Sequence, residues 1–215
     1  MTLNCNAAHW REHLKQRRAE LREQYQQDHK VEALLLKTSH MVDEILAGMW
    51  QQLEFPDSVA LIAVGGYGRG HLFPCSDIDI LILLPEQHDE QYSQKVETLI
   101  GLCWDVGLDI GHSVRTLHEC LDESAKDLTV QTALLEARPL VCPPALFAEL
   151  RAALHAAMDP AAFLEAKLLE QQQRHARFHG VAYNLEPNIK ESPGGLRDLN
   201  TITWISQACG LGSSW

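Results

Sequence analysis

No apolar run in this sequence approaches the ~20 residues that span a bilayer, and its start lacks the basic-then-apolar order of a secretion signal. Membrane and secreted classes are set aside, and the cytoplasm is the expected compartment. Basic residues are also scarce: 18 Lys and Arg stand against 29 Asp and Glu, a formal net charge of -11. Affinity for a polyanion draws heavily on Lys and Arg neutralising phosphates, so no nucleic-acid partner is expected. An acidic chain still binds one nucleotide when metal ions supply the positive charge. None of the six cysteines, Cys5, Cys75, Cys103, Cys120, Cys142 and Cys209, forms a C-x-x-C pair. Neither a zinc cage nor a disulfide framework is indicated. Internal repeats and low-complexity tracts are missing too.

What is present is an ordinary folding composition, 46% apolar and 22% charged over 215 residues. From about Ala8 to His29 the chain is polar, with Trp10, Leu14 and Leu21 as isolated apolar residues, and reads as an exposed helix or arm. Val31, Leu34, Leu35, Met41, Val42, Ile45, Leu46, Met49, Trp50 and Leu53 then recur at three- and four-residue steps, the period of a helix with one buried face. Val59 to Val64 and Ile78 to Leu84 are short runs rich in Val, Ile and Leu, bounded by glycine or proline, and read as strands. A third strand is expected around Leu108 to Arg115, after an amphipathic stretch from Tyr92 to Trp104. This order describes a mixed α/β (α+β) domain with flanking helices. Beyond Thr116 the pattern turns helical, over Asp127 to Arg138, Pro144 to Ala157, Ala161 to His179 and Leu196 to Ala208. The expected division is an N-terminal helical segment over 1–55, a core over 56–143 and a helical region over 144–215. Trp50, Trp104 and Trp204 fall in apolar helical periods and are expected in the core. The chain stops soon after the last helix, so a fragment of a longer protein is expected, with Trp204 and Ile205 left exposed.

The chemistry concentrates in Gly65-Gly66-Tyr67-Gly68-Arg69-Gly70-His71-Leu72-Phe73-Pro74-Cys75-Ser76-Asp77-Ile78-Asp79. Glycines after a strand let backbone N–H groups approach a phosphate unobstructed. Asp77 and Asp79 alternate on a strand, which sets them on one face with Cα atoms roughly 6.6 Å apart. Both carboxylates then reach one metal site, the arrangement that phosphoryl-group transfer uses with two divalent ions. Other phosphate motifs fit poorly. Gly65 and Gly70 have P-loop spacing, but His71 and Leu72 stand where Lys and Ser/Thr are required, and a dinucleotide fingerprint from Gly66 and Gly68 fails at His71.

These residues resemble the nucleotidyltransferase superfamily, whose pattern is a glycine turn, an Asp-x-Asp pair and a third acid on a later strand. The resemblance implies a mixed sheet with flanking helices, Gly65, Gly66 and Ser76 at the nucleotide phosphates, and Asp77 and Asp79 as ligands of Mg²⁺ or Mn²⁺. Asp109 is the implied third acid and metal ligand, with Asp105 in reserve. The longer glycine run, Gly111-His112-Ser113-Val114-Arg115-Thr116 and the segment from Asn184 to Asp198 are similar to the bacterial PII uridylyltransferase and uridylyl-removing family. That likeness implies transfer of UMP from UTP to a tyrosine of a PII signalling protein. Arg197, Lys190 and Arg115 are candidates to meet the triphosphate, with solvated or ion-paired roles as the alternative for each. The family's removing and sensing activities belong to later domains and are not assigned to this chain. Rival expectations are an adenylyltransferase acting on glutamine synthetase and a non-catalytic regulatory domain of the same fold. His175 and His179, one helical turn apart, lack the H-E-x-x-H base and read as a solvated face.

Overall fold

The computed structural model describes residues 7–86, 90–178, 180 and 188–212. Two long helices open it, α1 (Ala7–Asp28) and α2 (Val31–Gln52). α1 is polar, yet it is not a free arm. Leu14 and Leu21, seven residues apart and hence on one face, are buried in the main core, and Arg11 donates to the backbone oxygen of Asp105 at 2.9 Å. The periodic apolar face of α2 is buried as its spacing demands, with Ile45, Leu46 and Met49 fully covered.

The sheet comprises β1 (Ala60–Ala63), β2 (Ile78–Leu83), β3 (Ile110–Arg115) and β4 (Arg138–Val141), in the order β3-β2-β1-β4. β1 is antiparallel to both β2 and β4, whereas β2 and β3 are parallel. A parallel pair needs a crossover, and α4 (Glu90–Val106) supplies it. Alternation divides the strands between two cores. Leu61, Ile80 and Ile82 join α1, α2 and α4 on one face, while Ile62, Leu81 and Leu83 meet the helices of the other. Those helices are α5 (Leu117–Lys126), started by a Thr116/Glu119 capping box, α6 (Leu128–Leu135) and α7 (Pro144–Ala157). α8 (Pro160–Arg177) and α9 (Leu196–Ala208) close a third cluster around Phe163 and Trp204, with Leu128 and Leu135 of α6 packed against it.

Three expectations change. The helix expected from Asp127 to Arg138 stops at Leu135, and its end turns into β4. Pro139 disguises that strand, but β4 is an edge strand, where a missing N–H is tolerated. Trp104 is 62% exposed rather than in the core, whereas Trp204 is 3% exposed, buried as its helical period predicts and not left bare near the chain end, with Ile205 partly buried beside it.

Candidate active site

Strand β1 delivers the glycine turn. The Val64 N–H bonds to the Asp79 carbonyl at 3.0 Å, and Gly65 then takes φ +57°, a left-handed conformation that favours glycine. Gly65–Gly68 forms a single helical turn, α3. It is braced from below. Tyr67 is buried and its hydroxyl donates to Asp43 at 2.5 Å, while Arg138 of β4 donates to both Asp43 oxygens at 2.8 and 3.0 Å and to the Gly68 carbonyl at 3.2 Å. Burial, then the Asp43 charge, pushes the Tyr67 hydroxyl far above its ordinary range, so it remains a donor. A Cβ on Gly68 would lie 2.0 Å from the Glu136 carbonyl oxygen, so only glycine permits this contact between α3 and the end of α6.

The acids sit at the open end of the parallel pair. Asp77 is exposed just before β2, and Asp79 is half-buried on the strand. Alternation with Leu81 and Leu83 sets both on the face of the sheet that carries α5, α6 and α7. Asp79 pairs in register with Gly111 of β3, and the Ile78 N–H bonds to the Asp109 carbonyl at 2.9 Å. Asp109 therefore lies beside Asp77, one strand over, and is exposed. Two glycines flank the Asp79 carboxylate: a Cβ on Gly65 would stand 3.4 Å from Oδ2, and one on Gly111 only 2.4 Å from Oδ1. Burial, then the charge of Asp77, raises the Asp79 carboxyl above its usual range, against an opposing pull from Lys190. Paired hard oxygens, one of them costly to ionise alone and set where no Cβ intrudes, suit a small divalent cation such as Mg²⁺ or Mn²⁺. Among the described residues, no three His, Cys, Asp or Glu side chains converge on one ligating point.

The other candidates separate. Ser76 lies exposed in the turn before β2, its N–H bonded to the Phe73 carbonyl at 3.0 Å. Asp105 is on the last turn of α4, where its carbonyl receives Arg11. Arg115 stands at the far end of β3, about 20 Å along the strand from Asp109 at ~3.3 Å per residue. Arg197 is ion-paired with Glu191 at 3.2 Å and lies over the Trp204 ring. Of the three candidate cations, Lys190 is the one whose charge reaches Asp79. Gly111 and Tyr67 were read from sequence only as members of longer motifs, with no role of their own, and Asp43 and Arg138 were given none.

Lys190 is carried by a loop whose backbone is fixed at Asn188 and, beyond it, at Asp198. Asn188 Oδ1 accepts from the Lys190 and Glu191 N–H groups, and the Lys190 carbonyl accepts from the Arg197 N–H at 2.9 Å. Asp198, in the first turn of α9, accepts from Gln171 and Arg174 of α8 and from the Gly194 N–H. His175 is no solvated residue, since its Nε2 lies 3.0 Å from Asp198 Oδ2; His179 lies outside the described residues. Burial pushes the Asp198 carboxyl up, but the donors from Gln171, Arg174, Gly194 and His175 outweigh it and hold the group well below the usual carboxylate range.

Two models of known families match separate parts of the chain. The model of the nucleotidyltransferase domain matches residues 44–140, and that of GlnD PII-uridylyltransferase matches residues 162–215. The chain belongs to the GlnD PII-uridylyltransferase family. A protein of Chromobacterium violaceum named bifunctional uridylyltransferase/uridylyl-removing enzyme is 55% identical over 207 residues, 96% of this chain and 24% of that protein. One of the same name from Burkholderia lata is 50% identical over 205 residues, 95% of this chain and 24% of its own length. The chain thus spans about a quarter of the curated relatives it matches. In family terms the first match contains the glycine turn and the acids, and the second contains Lys190 and the loop that carries it. Among the described residues no helix is long and apolar enough to cross a membrane.

Proposed function

We propose that this chain carries the transferase site that moves UMP from UTP to a tyrosine hydroxyl of a PII signalling protein, releasing pyrophosphate, in the cytoplasm. The observation that supports it best is the Asp77/Asp79 pair, with the Asp79 carboxylate set between Gly65 and Gly111 beside a braced glycine turn, in a chain whose relatives are named uridylyltransferases. Asp77, Asp79 and Asp109 would hold Mg²⁺ or Mn²⁺. Bound there, a divalent cation supplies the positive charge that the triphosphate and the departing pyrophosphate require.

The chain's own residues do the rest. Gly65 and Gly66 present backbone N–H groups to the phosphates, Ser76 joins them from the turn before β2, and Lys190 adds a cation from the α9 side. Asp109 takes the proton of the tyrosine hydroxyl as its oxygen bonds to the α-phosphorus and the bond to the pyrophosphate oxygen breaks. The acidic surface disfavours RNA as acceptor and leaves a protein as the better fit. Incubation with PII or with glutamine synthetase, each with α-labelled UTP or ATP, tests the proposal. Label on PII from UTP is the expected result; label from ATP on glutamine synthetase, or none from either nucleotide, would overturn it.

A further inference from the structure

The glycine turn is tied to the last helix through one buried carboxylate. Glu136, which follows α6, has a side chain 2% exposed, and its Oε1 accepts both from Arg69 Nη1 and, at 2.5 Å, from Trp204 Nε1 of α9. Arg69 closes α3, and its Nη2 lies 3.6 Å from where a Cβ on Gly66 would be. The chain Trp204–Glu136–Arg69 therefore runs from α9 to the turn without a gap. Trp204 is itself fixed from both sides. Lys167 Nζ, on α8, stands 4.6 Å from its ring centroid, and the Arg197 guanidinium stands 5.6 Å away.

A buried ion pair is weak evidence of stabilisation, because desolvation offsets most of the attraction, but losing one partner leaves the other costly and forces a rearrangement. Here that rearrangement would fall on the turn. The Glu136 carbonyl already abuts Gly68, so a shift of this residue moves backbone as well as side chain. We propose that Glu136 and Trp204 are positioning residues, through which the seating of α9 sets the conformation of the glycine turn and hence its affinity for the nucleotide triphosphate. The nucleotide half of this statement rests on the proposed function; the coupling of α9 to the turn does not.

The test uses the 215-residue chain with Trp204→Phe, which keeps an aromatic ring but removes the N–H, and Glu136→Gln, which keeps an acceptor but removes the charge. Hydrogen exchange without nucleotide should speed up about tenfold over residues 65–70 in both variants, with β2 unchanged. Faster exchange confined to α8 and α9, with residues 65–70 at the wild-type rate, would overturn the proposal. Titration with Mg-UTP should then show affinity about 5- to 10-fold weaker in each variant. Arg69→Lys combined with Trp204→Phe should lose no more than the worse single variant, because two residues that do not touch act through Glu136. Strictly additive losses would also overturn it. A wild-type chain that binds no UTP would sink the proposed function, while the exchange result would still decide the coupling.

Discussion

Two aspartates in this molecule lie under opposite regimes. Asp198 is surrounded by donors from Gln171, Arg174, His175 and Gly194, and its carboxyl is held far below the ordinary range despite burial. Asp79, also partly buried, has glycines on two sides and another carboxylate as neighbour, and its carboxyl is raised. The first is a finished structural joint, satisfied by the chain itself. The second remains electrostatically unfavourable until something positive arrives, which is the condition expected of a ligand site. The signs in pH follow. For Asp198, stability is present above the unfolded carboxyl value near 3.8 and is lost as pH falls through the lower folded value. For Asp79, stability declines as pH rises from that unfolded value through the raised folded one.

The strongest way to break this contrast is to neutralise the ligand-type acids. Asp77→Asn or Asp79→Asn should lower UMP transfer by about 10³-fold or more, because an amide binds Mg²⁺ poorly. Without metal, Asp79→Asn should melt slightly higher than wild type, on the order of 2 °C, since an unfavourable charge is gone. Added Mg²⁺ should raise the melting temperature of wild type but not of the variant. A variant that melts lower and transfers UMP normally would mean that Asp79 belongs with Asp198. Next in size, Gly111→Ala places a methyl 2.4 Å from Asp79 Oδ1 and should cost about 10- to 100-fold in transfer by displacing the carboxylate. Normal rates with normal melting would show that the clearance is not used.

The ligand-type site was the more legible of the two, for a geometric reason. Strand alternation alone sets Asp77 and Asp79 on one face, and apolar runs identify the strand. Legibility failed where a contact joins segments distant in sequence. Gly111 reads as a strand residue until β3 is in register with β2, and only then does its missing Cβ matter. Lys190 was one of three candidate cations that no spacing could rank, because the turn at Asn188 and the anchor at Asp198 decide where it lies. β4 was hidden by Pro139, and α1 was read as an arm because two leucines are too few to signal a buried face. Trp104 was misjudged because helical period tells which face is apolar, not whether a partner covers it; the exposure expected of Trp204 near the chain end failed because α8 covers it.

On the structural side, Asp198→Asn should destabilise the chain by about 1–2 kcal/mol, since charged hydrogen bonds are replaced by weaker neutral ones. In a chain of this size that is a fall of roughly 2–8 °C. The deficit should shrink as pH falls below the unfolded carboxyl value, where wild type begins to lose the same interaction. A deficit that persists unchanged at acid pH would assign the loss to packing rather than charge.

The smallest effect joins the two regions. Lys190 is carried by the segment that Asp198 anchors, and its charge is the one that opposes the rise of the Asp79 carboxyl. The side chain is exposed, so solvent screens much of its influence, and the loss on removal should be modest. Lys190→Ala should raise KM for UTP a few-fold, about the effect of one exposed charge at a ligand site, with little change in melting temperature. The acid limb of the pH–rate profile should move to higher pH, because Asp79 must ionise to act and has lost the cation that favoured its ionised form. Lys190→Arg should restore most of the KM and return the limb toward its wild-type position. An acid limb that stays in place in Lys190→Ala, even with KM raised, would separate Lys190 from Asp79 and leave it a contact of the phosphates alone.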